Sequence, residues 1–133
     1  MANDIIINRR ELLDELTSKA KASERLRTHF DLRNSPKDGS QRILNAIEPG
    51  TVIPIHRHLS TSETVLCVRG HFTERIYDES GCIVEEIDML PGGLIINIPA
   101  GQWHNTKCLE SGTVLLSFKD GAWEPSRIED ILQ

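Results

Sequence analysis

Hydrophobic and polar residues alternate in short runs along most of this chain. From Gln41 onward, runs rich in Ile, Val, Leu and Phe are separated by clusters of Gly, Pro, Ser and Asp at intervals of roughly 8–12 residues. Such spacing is typical of an all-β sandwich or barrel. It predicts strands over residues 41–47, 51–57, 64–69, 71–77, 82–88, 94–98, 103–108 and 113–118. Eight short antiparallel strands favour a double-sheet jelly roll, so the predicted fold class is mainly β.

The region before these strands has the pattern of a helix. Apolar residues recur at the spacing of one helix face: Leu12, Leu13, Leu16 and Ala20. They predict one amphipathic helix over about residues 9–23. Asn8 is the predicted N-cap, and Glu11, three residues later, would complete a capping box.

Both ends of the chain carry patterns of their own. Ile5-Ile6-Ile7 predicts a short edge strand that would pair with another element or with a second subunit. Residues 34–40 have loop composition, and residues 124–133 predict a short amphipathic C-terminal helix. We therefore predict a single domain over residues 1–133, in three parts: an N-terminal strand, helix and loop (1–40), the barrel (41–119) and a C-terminal tail (120–133).

Composition and charge narrow the classes of partner. The chain has 133 residues, of which 38% are hydrophobic and 26% charged, a balance that favours one folded domain. Its net charge of −5, without a basic cluster among aromatic residues, argues against nucleic acid or a membrane surface as partner. No apolar run approaches transmembrane length, and residues 1–10 lack the features of a signal peptide. The three cysteines form no CxxC pair, so we expect reduced thiols in a cytoplasmic protein.

Four residues form a candidate metal site. His56 and His58 are two apart on a predicted strand, so both imidazoles project to the same face. A turn separates them from Glu63, which can therefore open the next strand facing the same cavity, and His104 begins another strand after a Pro-Ala-Gly turn. Three imidazoles and a carboxylate suit one divalent transition metal ion: Fe, Mn, Zn, Ni or Co. The alternative is a set of structural hydrogen-bonding histidines. We expect His29 and His71 to be surface or hydrogen-bonded core residues.

These residues match a known pattern in two places. The spacing Gly50-x5-His56-x-His58-x4-Glu63-x6-Gly70 resembles the first cupin motif, glycines included. The spacing Gly93-x5-Pro99-x-Gly101-x2-His104 resembles the second cupin motif up to its histidine. The Asn that closes the second motif would fall at position 108, where this chain has Cys108. The resemblance implies a double-stranded β-helix (jelly-roll, cupin) barrel that holds a metal ion, and it implies a homodimer, since cupins commonly pair.

Outside the motifs the chain resembles the small cupin fold metalloproteins of the WbuC family. The supporting features are the N-terminal helix, the Arg25-x-Arg27 to Phe30 stretch, the Gln41-Arg42 pair and the Lys119-Asp120-Gly121-Ala122-Trp123-x-Pro125 ending. This resemblance implies a link to surface polysaccharide biosynthesis, and it specifies no substrate.

Four further residues are candidates for binding a substrate. Arg42 could hold a carboxylate or phosphate if Leu44 and Ala46 face the barrel interior; otherwise it is a solvated or interface arginine. Trp103 is either a sugar-stacking wall or part of the core, and Tyr77 and Lys119 are weaker candidates. Cys108 shares strand parity with His104 and could face the cavity, its alternative being a buried inert thiol.

Three functions stay open on the sequence. The first is a metal-dependent isomerase, lyase or dioxygenase acting on a small oxygen-rich substrate such as a sugar, sugar nucleotide or keto acid. The second is a non-catalytic module that binds or senses a small ligand through the metal. The third is a metal-free sugar epimerase with His56 or His104 as base, which the complete set of four ligands disfavours. No residue outside the ligand set stands out as a general base.

Overall fold

A computed structural model describes residues 5–132 of the chain. In chain order the elements are α1 (Arg10–Ala22), β1 (Arg27–Asp31), β2 (Ser40–Ile47), β3 (Ile55–His56), β4 (Glu63–Arg69), β5 (Phe72–Tyr77), β6 (Ile83–Met89), β7 (Ile95–Ile98), β8 (Trp103–Cys108), β9 (Thr113–Asp120), a single 3-10 turn (Ile128–Asp130) and β10 (Ile131–Leu132). The order confirms the expectation of one helix followed by many short strands.

The strands form two five-stranded sheets that face each other. The first sheet has the order β1-β2-β9-β4-β7, and the second has the order β10-β3-β8-β5-β6. Every pairing is antiparallel. Strands that are neighbours along the chain, such as β4 and β5, lie in different sheets, so the chain crosses between the sheets repeatedly. This arrangement is the predicted jelly-roll barrel.

Two apolar layers hold the barrel together. The layer between the sheets contains Ile47, Phe72, Met89 and Cys108, with Phe72 and Met89 fully buried. The second layer lies on the outer face of the first sheet, where α1 packs its apolar side: Leu13, Leu16 and Ala20 against Leu44, Ala46 and Val114. Both faces of β2 are therefore covered. No helix among residues 5–132 is long and apolar enough to cross a membrane.

Several local predictions were wrong. Helix α1 begins at Arg10 with Arg9 at the N-cap and no side-chain cap, so the Asn8–Glu11 capping box does not form. Residues 5–7 form no strand, and the strand expected over 51–57 is reduced to Ile55–His56. The C-terminal segment is largely extended, with one 3-10 turn and β10 in place of the expected helix.

Strand β1 lies in a segment to which the sequence pattern assigned no element. Its inward side chains, Arg27 and His29, pair with Ile47 and Asn45 of β2, and Phe30 alone joins the apolar layer under α1. Because the inward face is polar, the strand lacks the hydrophobic alternation by which strands are recognised. The polar face exists because it borders a cavity rather than the core.

Gly70, which follows β4, lies in close contact with Thr113 of the neighbouring strand β9. Its φ is +89°, and a Cβ atom at this position would lie 2.7 Å from the Cα of Thr113, which is fully buried and cannot move aside. We expect Gly70→Ala to lower the free energy of unfolding by about 2 kcal/mol more than Gly81→Ala, because overpacking adds to the strain of a positive φ. Gly81 is the matched control, since its φ is +86° and it has open space around it. Equal losses for the two variants in urea unfolding would contradict this prediction.

Candidate metal centre

Four side chains from both sheets converge in a cavity of about 380 Å³ between the sheets. His56 lies on β3, His58 lies just after it, His104 lies on β8, and Glu63 opens β4 in the opposite sheet. His56 and His104 are direct cross-strand partners. The candidate ligand atoms of all four residues lie within 4.8 Å of one another. One ion of ordinary size could therefore be held by all four side chains.

Hydrogen bonds orient the imidazole rings of His56 and His104. The Nδ1 atom of His56 lies 2.8 Å from the carbonyl oxygen of Pro54, and Nδ1 of His104 lies 2.8 Å from that of Gln102. A carbonyl oxygen only accepts, so each Nδ1 carries a proton. Nε2 is therefore the nitrogen of each ring that can bind a metal ion. This is the usual way in which a protein prepares a histidine to bind a metal.

The Nε2 atoms of His104 and His58 point at the same carboxylate. Nε2 of His104 is 3.1 Å from Oε1 of Glu63, and Nε2 of His58 is 3.7 Å from the same oxygen. The Nε2 atom of His58 is buried and has no hydrogen-bond partner among residues 5–132. A buried nitrogen without a partner is costly, and a cation beside Glu63 would satisfy it.

The pKa values of three of these groups are shifted. Burial lowers the pKa of His56 to about 4, and the charge of His104 adds to this effect. Burial alone would raise the pKa of Glu63, but the hydrogen bond from His104 and the nearby imidazole of His58 outweigh it and hold that pKa well below its usual range. Burial alone would lower the pKa of His104, whereas the bond to Glu63 and its charge raise it. At neutral pH the centre thus offers an ionised carboxylate and a neutral His56, which suits Fe, Mn, Zn, Ni or Co.

Glu74 is a second carboxyl group in the cavity, and the motif-based reasoning missed it. Its side chain is 1% exposed, and it accepts a hydrogen bond of 2.6 Å from the hydroxyl of Thr106. Burial raises the pKa of Glu74 to about 8, so the group is mostly protonated at neutral pH. A signal existed in the sequence: Glu74 shares strand parity with the apolar residues Phe72 and Ile76, where a charged residue is unexpected.

The structure places Arg42 outside the cavity. Leu44 and Ala46 pack beneath α1 rather than between the sheets, and Arg42 lies on the same face of β2. Its guanidinium binds the carboxylate of Asp38 at 3.1 Å and the carbonyl oxygen of Leu32 at 3.0 Å. The condition for a ligand-binding Arg42, that Leu44 and Ala46 face the barrel interior, is therefore not met, and the alternative of an arginine outside the cavity holds.

Trp103 and Tyr77 also lie outside the cavity. They are cross-strand partners, 9% and 5% exposed, on the face of the second sheet opposite to His104. The guanidinium of Arg57 covers the Trp103 ring at 4.5 Å, and the Tyr77 hydroxyl donates to Oδ1 of Asn105 at 2.8 Å. Neighbouring residues of a strand face opposite ways, so His104 in the cavity excludes Trp103 from it.

Cys108 points inward as its parity predicts, but it lies in the apolar core and does not line the cavity. Its thiol donates to the carbonyl oxygen of Glu110 at 3.1 Å, and burial raises its pKa. Lys119 does line the cavity. His29 also lines the cavity and is exposed, as expected for a surface residue, whereas His71 lies elsewhere and binds Asp88 at 2.9 Å.

Fold and site together define a cupin-fold protein with a cluster of three histidines and one glutamate. The chain belongs to the family described as "Domain of unknown function (DUF6016)", which matches residues 8–89. The sequence matches no curated protein.

Solved structures of cupin-fold proteins resemble this chain in fold. KdgF from Halomonas sp. has a TM-score of 0.59 and 17% identity, over 71% of this chain and 80% of that one. CapF from Staphylococcus aureus, a capsular polysaccharide assembling protein, has a TM-score of 0.66 and 21% identity, over 83% of this chain and 32% of that one. An oxalate oxidase has a TM-score of 0.62 and 14% identity, over 76% of this chain and 54% of that one. At these identities the similarity establishes the fold, and this chain spans about a third of CapF.

Proposed function

We propose that this protein is a metal-dependent enzyme that acts on a small oxygen-rich substrate such as a sugar, sugar nucleotide or keto acid. One divalent transition metal ion would be held by His56, His58, Glu63 and His104. The observation that carries the proposal is the convergence of four donor groups around the unpartnered Nε2 of His58. When bound, the ion would supply Lewis-acid polarisation of a substrate oxygen.

The residues of the chain have distinct tasks in this proposal. The carbonyl oxygens of Pro54 and Gln102 hold two imidazoles in the tautomer and orientation that binding needs. Glu63 contributes the negative charge, and its burial in the barrel strengthens its interaction with a cation.

Glu74 would hold and transfer the proton. Its carboxyl group lines the same cavity, is not one of the four ligands, and has one hydrogen bond, from Thr106. With a pKa of about 8, both forms of this carboxyl group are accessible near neutral pH. The protonated form can donate a proton to a substrate oxygen, and the ionised form can accept one from carbon. Such a group favours the enzyme over a module that only binds a ligand.

Two measurements test the proposal. Protein purified without added metal or a histidine tag should contain about one metal ion per chain by elemental analysis. Metal-loaded protein should convert a member of a panel of sugar nucleotides and keto acids, and metal-free protein should not. A chain that takes up none of Fe, Mn, Co, Ni or Zn would refute the metal site, and metal-dependent binding without turnover would leave a binding module.

Metal affinity should depend on pH through His104. The raised pKa of His104 means that a proton on Nε2 competes with the ion at a higher pH than at an ordinary histidine. We expect the affinity for Zn²⁺ to fall by about tenfold per pH unit below that pKa, since binding displaces one proton. His56, with a pKa of about 4, adds no competition until far lower pH. Chelator competition across this range measures the slope, and an affinity that stays level as pH falls would contradict the prediction.

We also propose that the chain is a WbuC-family cupin with a role in surface polysaccharide biosynthesis. The resemblance of its N-terminal and C-terminal segments to that family supports this, and so does the fold of CapF. Loss of surface polysaccharide on deletion of the gene, restored by the wild-type protein, would test the role.

For the protein as a whole, we propose a single cupin domain that acts in the cytoplasm as a homodimer. The exposed side chains of Ile5, Ile6 and Ile7, at 86%, 53% and 47%, would suit burial against a second copy. A monomer mass in light scattering at micromolar concentration would refute the dimer.

A further inference from the structure

Cationic side chains line the cavity beside the metal centre. Arg25 and Arg27 approach it from the start of β1, and Lys119 approaches it from β9. None of the three forms a salt bridge within residues 5–132. Over the same residues, the carboxylates that line the cavity are Glu63 and Glu74. Glu63 faces the histidines and Glu74 is mostly neutral, so the positive charges are not balanced.

The half-buried arginines outside this cavity are paired with carboxylates. Five arginines outside this cavity each bind a carboxylate: Arg33 with Asp31, Arg42 with Asp38, Arg57 with Asp130, Arg69 with Asp14 and Arg75 with Glu86. The chain carries 20 acidic residues against 15 basic ones, so acidic partners are abundant. Arg25 is exposed, and the exposed arginines elsewhere also form no salt bridge within residues 5–132. Among the half-buried arginines of the described residues, only Arg27 has no carboxylate partner.

Arg27 is held in place with part of its guanidinium unused. Its side chain is on the inner face of β1, beside Ile47, and is half-buried. One nitrogen, Nη1, donates to the carbonyl oxygen of Val52 at 2.7 Å, and Nε and Nη2 have no acceptor among residues 5–132. Burial, and then the charge of Arg25, lower the pKa of Arg27, which shows that the two cations repel each other. An anion between them would relieve this repulsion.

Lys119 places a positive charge next to the metal centre. It is the cross-strand neighbour of Glu63, and both side chains face the interior. Its charge contributes to the low pKa of Glu63, yet the two groups are not in salt-bridge contact. The amine thus stays available to a ligand that reaches the metal centre.

We infer that Arg27, together with Arg25, forms a subsite that binds a carboxylate or phosphate group of the ligand, while Lys119 lies at the other end of the cavity, beside the metal centre. The inference rests on the proposed function, because it assigns the charged group of the same small oxygen-rich ligand. The fork of donors on arginine matches the oxygens of either group, and paired charged hydrogen bonds of this kind are strong. A neutral sugar would leave the half-buried guanidinium of Arg27 without an anionic partner, so the subsite selects against it.

Binding of simple probes to the metal-loaded protein tests the subsite. We would titrate the Co²⁺-loaded chain with glycolate, inorganic phosphate and ethylene glycol, and follow the Co²⁺ absorption and the heat of binding. Ethylene glycol matches glycolate in size and replaces the carboxylate with a neutral alcohol. We expect the anions to bind and ethylene glycol not to bind, and the tighter anion identifies the source of the oxyanion.

Substitutions then separate the subsite from the metal. Arg27→Gln should weaken anion binding by about tenfold or more, and Arg27→Lys should restore part of it. Arg25→Gln should also weaken binding, which covers the case that Arg27→Gln fails to fold. Lys107→Gln is the control, because it removes the same charge from an exposed residue on the outer face of β8. Metal content is measured on every variant.

The outcomes distinguish the two proposals. A chain that takes up no metal refutes the metal centre. In that case the subsite would still be supported if the metal-free protein binds the anion and Arg27→Gln abolishes this binding. Full metal content with no anion binding at tens of millimolar probe refutes the subsite. So does anion binding that Arg27→Gln and Arg25→Gln weaken no more than Lys107→Gln does, since the metal alone would then hold the anion.

Discussion

Replacing His58 with alanine should lower the metal affinity by more than about 100-fold, because the loss of a direct ligand exceeds the effect of losing a group that merely orients one. His58 is the ligand best suited to this test, since its Nε2 atom has no other partner among the described residues and its side chain is 21% exposed. Removing an unpartnered buried nitrogen should leave the stability of the metal-free protein within about 1 kcal/mol of wild type. Elemental analysis and chelator competition measure the first effect, and urea unfolding measures the second.

His71→Ala is the matched control for that experiment. It deletes the same side chain from a residue that is also half-buried and bonds to a carboxylate, Asp88, outside the cavity. Metal content should be unchanged in this variant. If His58→Ala keeps the wild-type affinity, or if His71→Ala loses metal to the same extent, the four-residue centre is wrong.

The second large effect concerns Glu74 and the pH dependence of stability in the metal-free protein. The folded-state pKa of about 8 lies above the ordinary value of 4.5, so the folded protein holds a proton that the unfolded chain has already released. Stability from this group is therefore greatest at low pH and is lost as pH rises toward 8. Between about pH 5 and pH 8 the loss should be about 3 kcal/mol.

Glu74→Gln should remove this dependence. Glutamine keeps the size of the side chain and can still accept the hydrogen bond from Thr106, but it does not ionise. The difference in unfolding free energy between variant and wild type should therefore grow in favour of the variant as pH rises. Contributions from groups that do not interact with Glu74 are common to both proteins and cancel in this difference.

Glu85→Gln serves as the control, because it makes the same chemical change at an exposed carboxyl group on β6. A constant difference for Glu74→Gln would show that Glu74 titrates normally. In the metal-loaded protein, Glu74→Gln should retain the ion and lose turnover, which would separate proton transfer from metal binding.

Strands β2 and β8 show what strand alternation can and cannot predict. Strand alternation predicts which residues share a face, and it did so correctly for His104, Thr106 and Cys108. It does not say which face looks inward when both faces are buried. On β2 one face lies under α1 and the other faces the second sheet, so apolar residues occur on both, and the pattern left the side of Arg42 open.

Residues that act across the barrel were harder to find than the metal ligands. Arg27 lies in a strand with a polar inner face, and it is recognisable only when β2 is paired beside it. Glu74 shows as an acidic residue in an apolar alternation, but its raised pKa comes from burial by the whole barrel.

By itself the sequence determined the jelly-roll class, the positions of most strands and the four candidate ligands, because turn residues, strand period and motif spacing are local properties of the chain. The tertiary structure decided that Glu63 crosses from one sheet to meet histidines of the other, that Trp103 and Tyr77 face away, and that unpaired cations border the cavity. These outcomes depend on which surfaces are brought together and desolvated. Burial and charge pairing arise only when distant segments pack against each other, so no local pattern encodes them.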